Sequence, residues 1–116
     1  MNNKEFSKSL EKRTLDFGVR IVRLSTSLPN TPEGREIRKQ ITKSGTSIGA
    51  NYREANRARS KADFRSKIRI CEGETSETQY WSEMIVALGW VSMDKVRFEF
   101  KECGELLAIF TSISSK

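Results

Sequence analysis

The sequence predicts a single all-α domain in which four helices form an antiparallel, up-down-up-down bundle. Three observations lead to this fold class. The 116 residues are enough for one hydrophobic core but not for two. Only two prolines interrupt a composition rich in Leu, Ile, Glu, Lys and Arg, residues that favour helices. Apolar residues also recur every three or four positions in four segments joined by short turns, and long helices joined in this way stack antiparallel.

The first two helices are separated by a turn that proline bounds on both sides. Apolar residues of the first helix form one stripe from Phe6 to Leu28. The helix is expected to end before Leu28 and Pro29, because the residue preceding proline disfavours the helical conformation. Thr31 and Pro32 then supply an N-cap and a first helical residue. The stripe of the second helix is small and polar, and it consists of Ile37, Ile41, Ser44, Ile48, Asn51, Ala55 and Ala58.

The third and fourth helices have equally clear start and stop signals. Residues 60–63 form a variant of the capping box at the start of the third helix. Gly89 is expected to end it, because glycine adopts the left-handed conformation without strain. Ser92 or Asp94 can cap the fourth helix. The third stripe consists of Phe64, Ile68, Cys71, Thr75, Thr78, Ser82 and Ile85, and the fourth of Val96, Phe100, Cys103, Leu107 and Phe110.

Residues 44–51 read SGTSIGAN, a concentration of small and polar side chains within the second helix. Counting from the turn that follows this helix, Ser44 is expected to lie level with Thr75, where small side chains let two helix axes approach closely. Asn51 on the same stripe needs a partner, and a single buried asparagine can fix the register of helices. We therefore interpret this stretch as a packing and register device.

The sequence carries little that would support catalysis. It contains no histidine, which removes the commonest general base and the usual zinc and di-iron ligand patterns. Gly45 and Gly49 lie in mid-helix, where backbone amides are already bonded and cannot cradle a phosphate. Without histidine, Glu72, Glu74 and Glu77 are expected to pair with arginines and not with a metal. We therefore expect a protein that is not an enzyme, with no cofactor and no metal.

The two cysteines and the hydropathy pattern indicate a cytoplasmic protein. Cys71 and Cys103 lie on apolar stripes, where a free thiol behaves as a small hydrophobe, and no disulfide is expected. No apolar run approaches the ~20 residues that span a bilayer. The first residues, MNNKEFSKSLEKR, lack the apolar segment of a signal peptide.

A second apolar face lies on the first helix. At 100° per residue, Leu15, Val19 and Val22 fall nearly opposite the main stripe. A helix that is apolar on two faces must bury the second one against something. The sequence therefore predicts a subunit interface on the outer face of this helix.

The net charge of +6 is unevenly distributed along the chain. Residues 1–71 hold seventeen basic and seven acidic side chains, whereas residues 72–105 hold three basic and eight acidic ones. In an antiparallel bundle, the turn between the second and third helices lies at the same end as both termini, which gathers basic residues there. Such residues can neutralise phosphates, although a solvated surface or a docking site for an acidic protein would carry the same pattern. The predicted nucleic-acid-binding residues are Lys4, Lys8, Arg53, Arg57, Arg59, Lys61, Arg65, Lys67 and Arg69.

Several residues at fixed spacings resemble the motifs of a known protein family. The set consists of Gln40-x-x-x-Ser44, Thr46-Ser47-Ile48-x-Ala50-Asn51 with Glu54, Ser60-x-x-x-Phe64, and Gly73-x-x-x-Glu77. Together these motifs resemble the four-helix-bundle proteins encoded in intervening sequences of 23S ribosomal RNA genes. That family includes accessory proteins of diversity-generating retroelements.

The resemblance implies a ring-like homopentamer with a basic surface that binds RNA, DNA or a hybrid duplex. It also implies an accessory role beside a reverse transcriptase. Within the shared motifs, Ser44, Asn51, Glu54 and Glu77 are expected to be structural polar residues. The alternative is a protein-protein scaffold whose basic end docks an acidic protein partner.

Overall fold

The computed structural model describes residues 2–116 as four helices joined by short turns. They are α1 (Asn3–Ser25), α2 (Pro32–Asn56), α3 (Lys61–Ala87) and α4 (Met93–Ser114), and no strand occurs within the described range. Each helix packs against the next, and α4 also contacts α1, so the four close into a bundle. The Cα trace spans 44 × 25 × 21 Å. The predicted fold class is confirmed.

The helix caps follow the sequence signals. Thr31 and Ser60 accept hydrogen bonds from the backbone amides three residues on, each at 3.0 Å. Of the two candidates at the start of α4, Ser92 is the cap, because its hydroxyl accepts from the amide of Lys95. Gly89 has a φ of +73°, which is the left-handed turn expected after α3. These local predictions are confirmed.

The core follows most of the predicted stripes, with exceptions in three helices. In α4, Leu106 is fully buried and the predicted Leu107 is only half-buried, and in α2 the unpredicted Tyr52 belongs to the core.

The third exception lies at the start of α1. Leu10, Phe17 and Ile21 are buried, but Phe6 is 40% exposed, so its place in the core was predicted wrongly. The reason is the length of α2, which ends at Asn56. The Asn56 amide nitrogen donates to the Glu11 carboxylate at 2.9 Å, and α2 does not continue far enough to cover Phe6.

Ser44 makes a hydrogen bond across the seam between α2 and α3. Its partner is Thr78, whose hydroxyl lies 2.9 Å from that of Ser44, and not Thr75. Side chains tilt toward the N-terminus of their own helix. On antiparallel neighbours this tilt carries Ser44 and Thr78 toward each other, whereas Thr75 donates back to the carbonyl of Cys71. Asn51 is half-buried and its amide nitrogen donates to the Ser47 carbonyl of its own helix at 2.9 Å.

The glycines of α2 face α1, where they bring the two helices close together. A Cβ atom at Gly45 would lie 2.6 Å from Cγ2 of Ile21, and one at Gly49 would lie 3.1 Å from Oγ1 of Thr14. Gly18 of α1 sits opposite, with its own Cβ position 3.5 Å from the Gly45 carbonyl oxygen. The small residues of this stretch therefore pack against two helices: Ser44 contacts α3, and Gly45 and Gly49 make a closer contact with α1.

Both cysteines are free and buried, as expected. Burial raises the pKa of the Cys71 and Cys103 thiols to about 12. At neutral pH they stay protonated, and they behave as small core side chains. Within residues 2–116, no helix is both long and apolar enough to cross a bilayer.

Candidate nucleic-acid interface

One end of the bundle brings the α2–α3 turn together with both ends of the described chain. The contact between Asn56 and Glu11 places the end of α2 beside the first turns of α1. The Arg65 guanidinium donates to the carbonyl oxygen of Lys116 at 3.2 Å, which places the start of α3 beside the end of α4. The charge clustering inferred from topology is therefore present in three dimensions.

The basic end, as we call it, carries nine cationic side chains. Lys67 is half-buried and the other eight are exposed. Over the described part of the chain, none of the nine lies within 4.0 Å of an aspartate or glutamate carboxylate. They remain available to an external anion. The members are Lys4, Lys8, Arg53, Arg57, Arg59, Lys61, Arg65, Lys67 and Arg69.

Two other arginines of α1 are neutralised by α4. The Arg13 guanidinium donates to both oxygens of Glu102 at 2.7 Å and to Glu105 at 2.6 Å. Arg20 donates to Glu99 at 2.8 Å and stacks over the ring of Phe98. The hydrogen bonds with Glu102 raise the pKa of Arg13 above its ordinary value. Arg13 therefore cannot be counted with the basic end, although topology alone would place it there.

The acids of α3 do not pair with arginine, contrary to the expectation from sequence. The carboxylate of Glu72 accepts hydrogen bonds from the Thr111 and Ser114 hydroxyls at 2.7 and 3.2 Å. Burial, with a smaller contribution from the charge of Glu77, raises the pKa of Glu74. The prediction failed because Glu72 faces α4, where hydroxyl donors are nearer than any guanidinium.

The structural polar residues predicted from the motifs occupy different environments. Ser44 is buried, Asn51 is half-buried, and Glu54 and Glu77 are exposed. Neither Glu54 nor Glu77 lies within 4.0 Å of a cationic group in residues 2–116. The same residues contain no group of three side chains suited to hold a metal ion.

The positive charge wraps around the end of the bundle instead of forming one flat stripe. Arg59, Lys61 and Arg65 surround a depression at the tip. Arg65 and Arg69 line a second depression on α3, and Arg53 lies on the opposite side, beside α1. A long, evenly charged ligand could contact several of these side chains at once.

An open apolar groove runs between α1 and α2 and includes the predicted interface residues. Leu15 is 52% exposed, and Val19 and Val22 are each 40% exposed. The groove has a volume of about 430 Å³. We call it the α1–α2 groove; α1 contributes Leu15, Val19 and Val22, α2 contributes Thr46, Gly49 and Ala50, and Arg23 and Arg53 flank it.

The α2 half of this groove was not predicted from the sequence. The Gly45-x-x-x-Gly49 spacing was the available signal, because small residues four apart allow a close helix contact. Their neighbour could not be chosen from the sequence, since Ser44 and Gly45 are adjacent but lie on different sides of the helix.

Comparison with known proteins identifies relatives over most of the chain. A family model described as 23S rRNA-intervening sequence protein matches residues 8–112. A solved structure from Bacteroides thetaiotaomicron, described as a protein with unknown function from the S23 ribosomal protein family, is similar with a TM-score of 0.84 and 37% identity. The match covers 91% of this chain and 98% of that chain. No curated protein matches at a significant level.

Proposed function

The chain belongs to the family of 23S rRNA-intervening sequence proteins, and from this premise we propose that it is a non-enzymatic, self-associating protein that binds nucleic acid. In this proposal the basic end contacts phosphates. The observation that carries it is the set of nine cations at one end, with no aspartate or glutamate carboxylate within 4.0 Å among residues 2–116.

Charge is a better basis for this binding than base stacking. Lysines and arginines that neutralise phosphates release condensed counterions, and this attraction does not depend on base sequence. Stacking needs exposed aromatic rings. Of the two aromatic residues near the arginines, Tyr52 is buried with its ring packed edge-on against Phe110, and Phe64 is half-buried against the core. We therefore propose binding to duplexes with little base preference.

Self-association is the second part of the proposal. The exposed side chains of Leu15, Val19 and Val22 line one groove, and full burial of such a side chain contributes about 1.5–3 kcal/mol. A copy number of five follows from the family resemblance. Several basic ends in one assembly would raise the affinity for a long nucleic acid, because later contacts become intramolecular.

Within this proposal the protein serves as an accessory to a reverse transcriptase. The support is the resemblance in the shared motifs, together with a basic end suited to an RNA template or a hybrid duplex. A gene for such an enzyme beside this one, with a repeated template region, would support the role. Location inside a ribosomal RNA gene would argue against it.

Val19→Glu is expected to dissociate the assembly while leaving helicity unchanged. Val19 is partly exposed at the centre of the α1–α2 groove, so glutamate fits the free protomer but places a charge in a buried contact. Multi-angle light scattering measures particle mass, and circular dichroism checks the fold. Met93→Glu is the matched control, because Met93 is 43% exposed and lies outside the groove. A wild-type protein that is monomeric at micromolar concentration would contradict self-association.

Binding of the wild-type protein to nucleic acid is expected to weaken steeply with salt. Each duplex phosphate neutralised contributes about −0.9 to the slope of log K against log salt concentration, so four contacts give about −3.6. Fluorescence anisotropy with duplexes of about 20 base pairs, between about 50 and 300 mM salt, measures this slope. RNA, DNA and hybrid duplexes of two unrelated sequences test the base preference. If no duplex binds at low salt, the proposal is wrong and the basic end is better explained as a docking site for an acidic protein.

A further inference from the structure

We propose that the α1–α2 groove receives the outward face of α3 from a second copy of this chain. Each protomer would then present two different surfaces, and the copies would associate head to tail. The inference rests on the self-association proposed above and names its two surfaces. The second surface, which we call the outer α3 face, consists of Ile70, Gly73, Glu77 and Tyr80.

The outer α3 face is an exposed surface whose two largest side chains are apolar; the Tyr80 ring packs edge-on against Trp81 of the same helix. Ile70 is 42% exposed and Tyr80 is 52% exposed. The spacing 70–73–77–80 places the four residues on one side of the helix. Ile70 and Tyr80 are therefore large hydrophobic residues on the solvent side of the helix. Leu15 and Val19 of the groove are exposed in the same way.

Gly73 lies at the centre of this face, and the protomer gives no reason for a glycine there. A Cβ atom at this position would have no atom of another helix within 4 Å. Glycine in the middle of a helix lowers its stability relative to alanine. By contrast, Gly45 and Gly49 are required by the close approach of α1. A close approach from outside the protomer, by a helix of a second copy, explains Gly73 in the same way.

The charges of the two surfaces are complementary. Arg23 and Arg53 flank the groove, and neither lies within 4.0 Å of a carboxylate over residues 2–116. Residues 70–87 of α3 contain no lysine or arginine but four glutamates, of which Glu77 belongs to the outer face. Ile70 shares a depression with Arg65 and Arg69, so the acidic part of the outer α3 face is its Glu77–Tyr80 half. Like charges brought together at an interface disfavour association. Groove-to-groove pairing would oppose arginines to arginines, whereas pairing with the outer α3 face opposes them to glutamate. Arg53 would then belong to the subunit contact, and the other eight cations of the basic end would be left for phosphates.

The two surfaces lie on different sides of the protomer. The helices follow one another around the bundle, and α1 and α3 are not neighbours. The groove and the outer α3 face can therefore be occupied at the same time. Two unlike surfaces produce a ring when the rotation closes and a filament when it does not.

Mixing two variants tests the pairing directly. Val19→Glu disables the groove and leaves the outer α3 face intact, whereas Tyr80→Glu does the reverse. Each variant alone is expected to be monomeric in light scattering, with a self-association constant at least tenfold weaker than wild type. Mixed together, they are expected to form a heterodimer of one copy of each, because one intact groove then meets one intact outer α3 face. Met93→Glu serves again as the control for a charge at an exposed apolar site.

A second variant separates association from folding. Gly73→Gln adds a side chain that meets nothing in the protomer, so it is expected to raise the melting temperature of the monomeric Val19→Glu background. In the otherwise wild-type chain the same change is expected to weaken assembly at least tenfold. Assembly that survives both Tyr80→Glu and Gly73→Gln would overturn the pairing while leaving the proposed self-association intact. A wild-type protein that never assembles would overturn both.

Discussion

Replacing Arg57, Arg59 and Lys61 together with glutamine is expected to weaken duplex binding about 100-fold or more at ~0.1 M salt. The three side chains lie in the α2–α3 turn and the first turn of α3, and all are exposed. If each contacts one phosphate, their loss reduces the salt slope by about 2.7. The loss should be equal for all sequences, because phosphate contacts carry no base information. Anisotropy titrations over a range of salt concentrations measure both quantities.

The matched control for this experiment changes the charge by the same amount elsewhere. Lys39, Lys95 and Lys101 are exposed and lie outside the basic end. Their joint replacement with glutamine is expected to leave the salt slope nearly unchanged. If the control weakens binding as much as the first set does, net charge and not the basic end governs the interaction. If neither set has an effect on tight binding, the site lies elsewhere on the protein.

Gly45→Val is expected to lower the free energy of unfolding by about 2–3 kcal/mol. A Cβ atom at this position would lie 2.6 Å from Cγ2 and 3.0 Å from Cβ of Ile21. Ile21 is fully buried, and its β-branched side chain is held in one rotamer on a helix. It cannot move aside, so α1 and α2 must separate and lose contacts along their length. Urea unfolding in the monomeric Val19→Glu background measures this change free of any effect of association.

Gly73→Ala is the control, because it adds a Cβ atom where the protomer leaves open space. In the same background it is expected to raise the free energy of unfolding by up to about 1 kcal/mol, from helix propensity alone. The two glycines should therefore respond with opposite signs. Equal responses would mean that the α1–α2 contact relaxes easily and is not set by Gly45.

The local features of the fold could be predicted from sequence because they depend on neighbouring residues. The N-caps Thr31, Ser60 and Ser92 each act on an amide three residues away. The turn at Gly89 likewise follows from one residue's freedom to adopt a positive φ. The stripes also predicted most of the core, since burial follows the 3.6-residue period of the helix. Phe6 failed because its exposure depends on where a different helix ends.

The ion pairs could not be predicted in the same way. Arg13 and Glu102 are separated by 89 positions, and Arg20 and Glu99 by 79. Which of the seventeen basic residues in the first 71 find an acid depends on helix order and axial rotation. The sequence could therefore predict an excess of positive charge at one end. It could not predict that Arg13 is compensated there while Arg57 and Arg59 are not.

The ion pairs between α1 and α4 also have a thermodynamic consequence for the groove. Arg13 and Arg20 hold α1 against α4 from one side, while Leu15 and Val19 are on the side that would contact a second copy. A neighbour that binds α1 in this position stabilises it. By reciprocity, the ion pairs strengthen association to the extent that α1 would otherwise leave this position in the free protomer. Loss of Glu102, which lies far from the groove residues in sequence and belongs to neither proposed surface, is then expected to weaken assembly.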